Sequence, residues 1–329
     1  MKVLALAGLL ALCGCGGVIT PPKAPKPAPA PRDISEIPRS FSMMVMTHRR
    51  VDHLKMRVFN TGSVVTRGAA VSSMKSWTSK VKLDVPVFLI KHPTRGFVLF
   101  DTGLHPEFAT DPGKRMGRFN HFFVPFTAAR GQDAASQLKA DGVDPAEVKF
   151  VVLSHLHLDH SGEIDAFPNA TVLVDKREWL AQKEKQAKKK DEHEIDPNEL
   201  EGKLKLRLVD LSSAPAYGSF DHAEDLFKDG TLFLIDLSGH TPGNMGLWAS
   251  LDDGPVLLAG DASWILDNHQ DLALPMKSHI FNLDQYWRRL YEMKYMQEAV
   301  PRLVIFPGHD MQPLVLQPRA DVSLAPFPR

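Results

Sequence analysis

Four side chains of the kinds that bind metal ions lie within six consecutive residues, directly after an apolar run. They are His155, His157, Asp159 and His160, in the stretch SHLHLDHSG that follows KFVVL. Such an apolar run indicates a buried strand, so the cluster lies where a strand passes into a loop, the usual place for sites on open α/β sheets. Residues i and i+2 of an extended segment project to the same side. His155 and His157 can therefore hold one ion, whereas Asp159 and His160 can face a second ion about 3.5–4 Å away.

Three further candidate ligands lie far along the chain, each at the end of a strand-like run and before a turn. They are His240 in LSGHTPGN, Asp261 in LLAGDASW and His309 in IFPGHD. A lone histidine at such a position is usually an ordinary hydrogen-bonded residue, but three such positions beside the first cluster indicate shared metal ligation. Because a carboxylate can bind one ion with each of its two oxygens, Asp261 is the expected bridge. The sequence thus predicts a centre for two divalent metal ions.

Short apolar runs alternate with helical patterns from residue 40 onward, in a chain whose 43% hydrophobic and 24% charged residues are typical of a globular protein. QDAASQLKADG predicts a helix closed by Gly142, and DQYWRRLYEMKYMQEAV predicts a helix stopped by Pro301. The predicted strands lie in FSMMVM, VPVFLI, GFVLFDTG, KFVVLSH, ATVLVD, LRLVDL, TLFLIDL, GLWAS, PVLLAGD and RLVIFPGHD. This mixture predicts an α/β domain with layered sheets.

The first residues are typical of an export signal. MKVLALAGLLALCGCGG has one positive charge and then an apolar run that is too short to span a bilayer. Leu12-Cys13-Gly14-Cys15 resembles the lipobox of bacterial lipoproteins, which makes residues 1–14 the signal peptide and Cys15 the lipidated residue. Cys13 is the weaker candidate because the bulky Leu12 precedes it, and a plain signal peptide with incidental cysteines is the alternative.

Residues 15–39 are expected to form a tether, because the part from Thr20 to Pro38 is rich in proline and alanine and cannot bury a core. The hydrolase domain would then occupy residues 40–329. Membrane attachment would come from acyl chains. Gly16 is not the aspartate associated with inner-membrane retention, so the periplasmic face of the outer membrane is the expected location.

The charge balance argues against nucleic acid as a partner. Lysine plus arginine and aspartate plus glutamate both total 39, and no basic and aromatic stripe is present. The chain has only 2 cysteines. Cleavage before Cys15 would leave one of them, so no disulfide within the mature chain is expected and the domain must rely on its core or on bound metal.

Two segments interrupt the alternation of strands and helices. Leu104–Arg130 is long and irregular, as binding loops often are. Its ring-bearing side chains could form an apolar wall for a substrate, or could belong to the core or an interface: Phe119, His121, Phe122, Phe123 and Phe126. Trp264, His269 and Phe281 could line the mouth of the same pocket. Lys176–Lys203 is almost entirely charged and is expected to form a solvated helix and loop in which His193 is exposed.

Taken together, the motifs H-x-H-x-D-H, GHTPG, GD and PGHD resemble the metallo-β-lactamase fold superfamily, over roughly Ser40 to Met311. The resemblance implies an αβ/βα sandwich of two mixed sheets flanked by helices. It also implies that Asp101, in FDTG, supports the ligands from behind. The implied ligands are His155, His157 and His240 for one ion, and Asp159, His160 and His309 for the other, with Asp261 bridging. Zinc suits these ligands, although iron, manganese and cobalt are also compatible.

Within that superfamily the chain is most similar to N-acyl-homoserine lactonases, which implies hydrolytic opening of a lactone ring and degradation of quorum-sensing signals. Two metal ions would activate a bridging hydroxide, and Asp159 would accept a proton and pass it to the leaving group. Asp261 stands where the commonest zinc β-lactamases carry cysteine. Trp264 stands where the lactonases usually carry tyrosine, and it can donate a hydrogen bond but cannot transfer a proton.

Three functions remain open on the residues alone. The first is a lactonase or related carboxylic-ester hydrolase, with the Trp264 indole either contacting substrate or merely packing. The second is a hydrolase of the same fold that acts on phosphate esters, organophosphates or thioesters. The third is a lipoprotein that holds metals without catalysis, which is disfavoured because every expected ligand position is filled.

Overall fold

A computed structural model describes residues 54–188 and 197–327 of the chain. Several expectations fall on residues outside these ranges. They are the signal peptide of residues 1–14, lipidation at Cys15, the tether of residues 15–39, the predicted strand FSMMVM and the exposure of His193.

The first sheet is mixed, and its strand order in the described residues is β12-β1-β2-β3-β4-β5-β6. Strands β3 to β6 run parallel to one another and β12 runs parallel to β1, whereas β2 is antiparallel to both β1 and β3. The strands are Lys55–Arg67 (β1), Lys80–His92 (β2), Gly96–Phe100 (β3), Val148–Val152 (β4), Thr171–Asp175 (β5), Lys205–Val209 (β6) and Val322–Ser323 (β12). Because β3 and β4 are parallel, their carboxyl ends lie at the same edge of the sheet. The histidine cluster begins at this edge.

The second sheet has the order β11-β10-β9-β8-β7. Its strands are Ala223–Asp225 (β7), Leu232–Asp236 (β8), Met245–Leu251 (β9), Gly254–Leu258 (β10) and Val304–Phe306 (β11). Strands β10 and β11 are parallel, while β8 and β10 both run antiparallel to β9. The carboxyl ends of β8, β10 and β11 therefore lie at one edge of the sheet.

Helices cover the outer faces of the sheets and fill the connections. They are Gly68–Val71 (α1), Pro112–Met116 (α2), Arg118–Phe123 (α3), Ala134–Ala140 (α4), Leu158–Ser161 (α5), Lys176–Ala187 (α6), Pro197–Leu200 (α7), Leu266–Gln270 (α8), Leu283–Ala299 (α9) and Pro313–Leu316 (α10). Single 3₁₀ turns occur at Pro106–Ala109, Pro145–Glu147, Ile164–Ala166, Leu211–Ser213, Gly260–Ala262 and Lys277–His279. Within the described ranges, none of these helices has both the length and the apolar character needed to cross a membrane.

The main core lies between the two sheets. Phe88, Ile90 and Phe100 of the first sheet pack in one buried cluster with Leu234 and Leu258 of the second. Two further clusters fill the space between each sheet and its helices, one with α9 and one with α4 and α6. Fully burying such an apolar side chain contributes about 1.5–3 kcal/mol, so the sandwich is held chiefly by these three layers of contact. The predicted layered α/β class and the two-sheet sandwich are confirmed.

Strand β1 is the principal element that the sequence pattern did not predict. Its 13 residues, KMRVFNTGSVVTR, contain Asn60, Thr61 and Gly62, which usually indicate a turn. The structure accommodates them as an irregularity in the pairing with β2 between Asn60 and Ser63. A bulge of this kind bends a strand without ending it. The second half of β1 thereby reaches the edge of the sandwich where the candidate ligands lie.

Candidate metal centre

The seven predicted ligands come together at one edge of the sandwich, because each follows the carboxyl end of a strand. His155 and His157 follow β4, and Asp159 and His160 lie in the short helix α5. The other three come from the second sheet, with His240 after β8, Asp261 in the turn after β10, and His309 after β11. In the described residues, potential ligand atoms form one group of His155, His157, His240 and Asp261, and another of Asp159, His160 and His309, each within 4.8 Å.

The first group has the spacing of ligands around a single ion. His157 Nδ1 lies 2.8 Å from His155 Nε2 and 3.3 Å from His240 Nε2. Asp261 Oδ2 lies 3.3 Å from His240 Nε2 and 4.0 Å from His155 Nε2. Tetrahedral ligands about 2.0–2.1 Å from a zinc ion are roughly 3.3 Å apart. Three imidazole nitrogens and one carboxylate oxygen therefore surround a space of the right size.

The second group faces the other oxygen of the same aspartate. Asp261 Oδ1 lies 3.3 Å from His160 Nε2 and 3.2 Å from His309 Nε2. Asp159 Oδ2 completes the group at 3.7 Å from His160 Nε2 and 3.6 Å from His309 Nε2. Each oxygen of Asp261 thus faces a different set of ligands, which is the geometry required of a carboxylate that bridges two ions.

Most of the imidazole rings are oriented by a hydrogen bond at the nitrogen that points away from the centre. In four of them Nδ1 has such a partner, which leaves Nε2 directed inward. The pairs are His155 with Ser154 Oγ, 3.0 Å, His160 with Asp101 Oδ2, 2.8 Å, His240 with the His279 carbonyl, 2.8 Å, and His309 with the Asp84 carbonyl, 2.8 Å. A proton on Nδ1 leaves the Nε2 lone pair free for a metal ion, so these contacts select the tautomer that can ligate.

Asp101 contacts the candidate ligand His160 on the side away from the centre, as the resemblance implied. Its Oδ1 accepts a hydrogen bond from the Ser154 backbone at 2.7 Å, and its Oδ2 accepts from the Ser154 hydroxyl at 2.9 Å as well as facing His160. Asp101 adopts a φ of 60°, an uncommon conformation for a residue with a side chain. Its carboxylate joins the end of β3 to the loop after β4 and holds the His160 ring in place.

Two buried polar atoms at the centre lack a hydrogen-bond partner among the described residues, and both are candidate ligand atoms. They are His160 Nε2 and Asp261 Oδ1. Although 3.3 Å apart, these atoms are not aligned for a hydrogen bond to each other. Leaving buried polar atoms unpaired costs about 1–3 kcal/mol each. A divalent cation between them would satisfy both, and the nitrogen and oxygen donors suit zinc and neighbouring metals, so the residues present fit the implied pair of ions.

The electrostatics of the ligands favour a cation between them. Burial opposes the charge on Asp261, but nearby His309, His160 and His240 hold its pKa well below the usual value. Burial also opposes the charge on His160, yet the carboxylates of Asp261 and Asp159 raise its pKa well above normal. The pKa of His309 is raised in the same way, with Asp261 outweighing burial. Protons balance the buried carboxylates in the bare protein, and metal binding would displace them.

A cavity of about 520 Å³ opens above the ligands. His157, Asp159 and Asp261 form part of its lining. Its apolar walls come from strands β1 and β2 of the first sheet, from helix α2 and from two loops: Val64, Leu83, Met116, Phe126, Ile280 and Phe281. The volume lies within the range of about 300–1,000 Å³ that is usual for pockets that bind small molecules.

The aromatic residues predicted to line this cavity have different positions. Phe123, Phe126 and Phe281 line it, as does Trp264, whereas His121 and Phe122 are not among its lining residues. The side chain of Phe119 lies outside the described part of the chain. The prediction for His269 is wrong, because its ring is fully buried and its Nδ1 lies 2.9 Å from Ser263 Oγ. His269 supports the loop that carries Asp261 and Trp264.

Trp264 lies directly over the candidate ligands. Its ring centroid is 5.6 Å from that of His240, 5.9 Å from that of His309 and 5.2 Å from that of His279. The indole Nε1 is buried and has no hydrogen-bond partner among the described residues. Because the residue also lines the cavity, its indole N–H is a candidate donor to a bound molecule.

Three residues that contribute to the site were missed by sequence reasoning. His279 lines the cavity and its carbonyl orients His240, yet it belongs to the segment KSHIF, which contains no metal-binding pattern. Val64 and Leu83 belong to β1 and β2, and only the pairing of these strands brings them to the cavity. The run of β-branched residues VVT that begins at Val64 is a sequence signal that could have indicated a strand here.

The chain matches the Metallo-beta-lactamase superfamily over residues 82–309, a range that contains all seven candidate ligands. It is 33% identical to an N-acyl homoserine lactonase, AttM, of Azorhizobium caulinodans over 263 residues, which are 78% of this chain and 93% of that protein. It is 37% identical to AttM of Rhizobium radiobacter over 199 residues, which are 59% of this chain and 70% of that protein.

Among solved structures, a similar fold is that of an N-acyl homoserine lactone hydrolase determined with the product N-hexanoyl-L-homoserine at its catalytic metal center. The two chains are 21% identical, with a TM-score of 0.65 over 80% of this chain and 95% of that one. The resemblance inferred from the motifs is confirmed. The protein belongs to the metallo-beta-lactamase superfamily.

Proposed function

We propose that the protein is a metal-dependent hydrolase that opens the ring of N-acyl-homoserine lactones. The observation that carries the proposal is the position of Asp261, whose two oxygens face two sets of ligands at the floor of an apolar cavity. This arrangement suits attack on an ester carbonyl whose acyl substituent is apolar. The 33% identity with a lactonase over 93% of that enzyme's length supports the same substrate class.

Two zinc ions are the proposed cofactors. His155, His157 and His240 with Asp261 Oδ2 would hold one, while Asp159, His160 and His309 with Asp261 Oδ1 would hold the other. When bound, such a pair lowers the pKa of water to near neutrality and polarises a carbonyl oxygen. A lactonase of similar fold, AidC, is a dizinc enzyme, at 16% identity and a TM-score of 0.53.

Asp159 is the proposed proton carrier. Asp159 lines the cavity, and its Oδ2 faces His160 and His309. From this position its carboxylate can accept the proton released as water attacks the lactone carbonyl. It can then return that proton to the ring oxygen, which becomes the hydroxyl of the opened product.

Trp264 is the proposed hydrogen-bond donor to the substrate carbonyl oxygen. Its buried Nε1–H has no hydrogen-bond partner among the described residues. The residue lines the cavity, and its ring centroid is 5.6 Å from that of His240 and 5.9 Å from that of His309. The group stabilises negative charge on oxygen as the carbonyl becomes tetrahedral, and it takes no part in proton transfer. The acyl chain would lie along the apolar wall formed by Val64, Leu83, Met116 and Phe126.

The proposal is tested by a panel of N-acyl-homoserine lactones with short to long acyl chains, assayed on protein of known metal content. Ring opening releases a proton, so a pH indicator follows it directly. We expect turnover that depends on acyl length and is abolished by His157→Ala. Turnover of a phosphotriester, phosphate ester or thioester with no lactone opening would instead favour the other hydrolase class.

We further propose that the protein is exported and attached to the bacterial envelope through a lipid on Cys15. The support is the sequence alone, namely the apolar run followed by Leu12-Cys13-Gly14-Cys15 and the proline-rich segment after it. Labelled palmitate should be incorporated into the unchanged chain and into the matched control Cys13→Ser. Incorporation that persists in Cys15→Ser would contradict the assignment.

A further inference from the structure

The first turn of α6 contains a buried glutamate, although the helix is strongly charged and its residues Lys176 and Leu180 are exposed. The helix begins at Lys176 after Asp175, whose side chain caps it by accepting a hydrogen bond from the Arg177 backbone. Glu178 and Trp179 follow and are only 3% and 4% exposed. A buried glutamate needs partners for its oxygens, and the partners of Glu178 lie in the two loops that carry the ligands of the first group.

Each oxygen of Glu178 accepts a hydrogen bond from a different loop. Oε1 accepts from the backbone of Leu156 at 3.2 Å, and Oε2 accepts from the backbone of Gly243 at 3.0 Å. Leu156 lies between His155 and His157, and Gly243 lies three residues after His240. One side chain therefore joins the loop of the first sheet to the loop of the second at the point where their histidines converge.

The second loop also packs directly against the α6 backbone. A Cβ atom at Gly243 would lie 2.6 Å from the backbone nitrogen of Glu178, so the loop can approach this closely only with glycine. At its other end, Arg177 pairs with Asp236 at 3.0 Å, and Asp236 accepts a hydrogen bond from the backbone of Ser238. Two consecutive residues of α6 thus hold both ends of the segment that carries His240.

We infer that Glu178 is a positioning residue for the first metal site, formed by His155, His157 and His240. This inference rests on the proposed pair of metal ions but not on the proposed substrate. Loss of the carboxylate leaves two buried backbone N–H groups unpaired, and the loops must separate to rehydrate them. The hydrogen bonds that Glu178 accepts lie beside His155, His157 and His240, so we expect the geometry of the second group, Asp159, His160 and His309, to persist.

The test measures metal binding on the full chain without substrate. Glu178→Ala and the more conservative Glu178→Gln are stripped of metal and titrated with zinc against a chromophoric chelator. We expect one of the two zinc ions to bind about 10–100 times more weakly in Glu178→Ala, the loss usual when a partner behind a ligand is removed. Glu178→Gln should show a smaller loss, because an amide oxygen can still accept one of the two hydrogen bonds.

The matched control is Trp179→Leu, which changes a buried neighbour in the same helical turn. Trp179 packs in the cluster between the first sheet and its helices, so this variant should melt at a lower temperature and bind both zinc ions with unchanged affinity. The inference is overturned if Glu178→Ala weakens both ions equally. It is also overturned if Glu178→Ala only lowers the melting temperature, as Trp179→Leu does. Since no lactone is present, a wrong substrate assignment cannot produce either result.

Discussion

Among individual residues, Asp261 has the most demanding role, because one carboxylate faces two ligand sets. In Asp261→Asn one oxygen is replaced by an amide nitrogen that cannot ligate, so one ion loses a ligand. We expect metal content to fall from two ions toward one per chain and lactone turnover to fall at least about a hundredfold. Elemental analysis and the pH-indicator assay measure both effects.

The control for this substitution is Asp271→Asn, at an exposed position after α8. It removes the same charge from the chain and should leave metal content and turnover unchanged. Two tightly bound ions in Asp261→Asn would show that the carboxylate does not bridge.

Trp264 permits a prediction that separates substrate contact from packing. Trp264→Phe keeps an aromatic ring and removes the indole N–H, and the loss of one donor to a developing oxyanion costs about 10²–10³ in kcat. Trp264→Tyr restores a donor and should turn over lactone at least as fast as the unchanged protein. Steady-state kinetics on metal-matched samples decide the question. A Trp264→Phe variant with unaltered kcat would mean that the indole only packs.

Strands that consist of a continuous apolar run could be predicted from the sequence. Elements whose environment depends on residues far away in the chain could not. The run VPVFLI in β2 is continuous because both faces of this strand are buried, and its pattern was sufficient to identify it. Strand β1 was missed because Asn60 and Gly62 indicate a turn unless the pairing with β2 is known. Helix α6 was expected to be solvated, since nothing in its sequence indicates that Glu178 contacts loops at Leu156 and Gly243.

Helix α4 provides a prediction about the dependence of stability on pH. Asp133 caps this helix by accepting a hydrogen bond from Ser136, and Glu163 accepts one from Ala135. Burial and the neighbouring Asp133 raise the pKa of Glu163 to about 9. A raised pKa means that the folded protein holds the proton more tightly than the unfolded chain does. The protonated side chain therefore contributes to the free energy of unfolding. This stabilisation is fully present below the usual glutamate pKa near 4.5 and is lost as the pH rises toward about 9.

We therefore expect Glu163→Gln, which stays neutral, to raise the melting temperature by a few degrees at pH 8 and to change it little at pH 5. Thermal melts followed by circular dichroism at the two pH values measure this difference. A stabilisation of equal size at both pH values would show that Glu163 is not protonated in the folded protein.

At the scale of the whole molecule, the metal centre joins the two sheets. His155 follows β4 of the first sheet, while His240, Asp261 and His309 follow strands of the second. An ion that binds only the folded state raises the free energy of unfolding by about 2.7 kcal/mol when its free concentration is a hundred times Kd. Each kcal/mol shifts the melting temperature by about 2–4 °C. Removal of metal by a chelator should lower the melting temperature by roughly 5–10 °C, and added zinc should restore it. Calorimetry that finds no change would contradict a shared centre.

The site as a whole could be predicted because its ligands occupy strand ends, which the fold brings to one edge. The sequence alone indicates all seven candidate ligands, since histidine or aspartate after an apolar run and before a turn is a recognisable local pattern. Their supports were not predictable in the same way. The carbonyls of Asp84 and His279 orient His309 and His240, and a backbone carbonyl has no signature in the sequence.

If these residues hold two metal ions that open a lactone ring, metal content and lactone hydrolysis must be lost and regained together. Both are measured on the same sample, with N-acyl-homoserine lactone as substrate, before chelation, after chelation and after zinc is restored. We predict two ions per chain, ring opening that disappears with the metal, and recovery of both together. Protein that carries two ions per chain and opens no lactone of any acyl length would contradict the account.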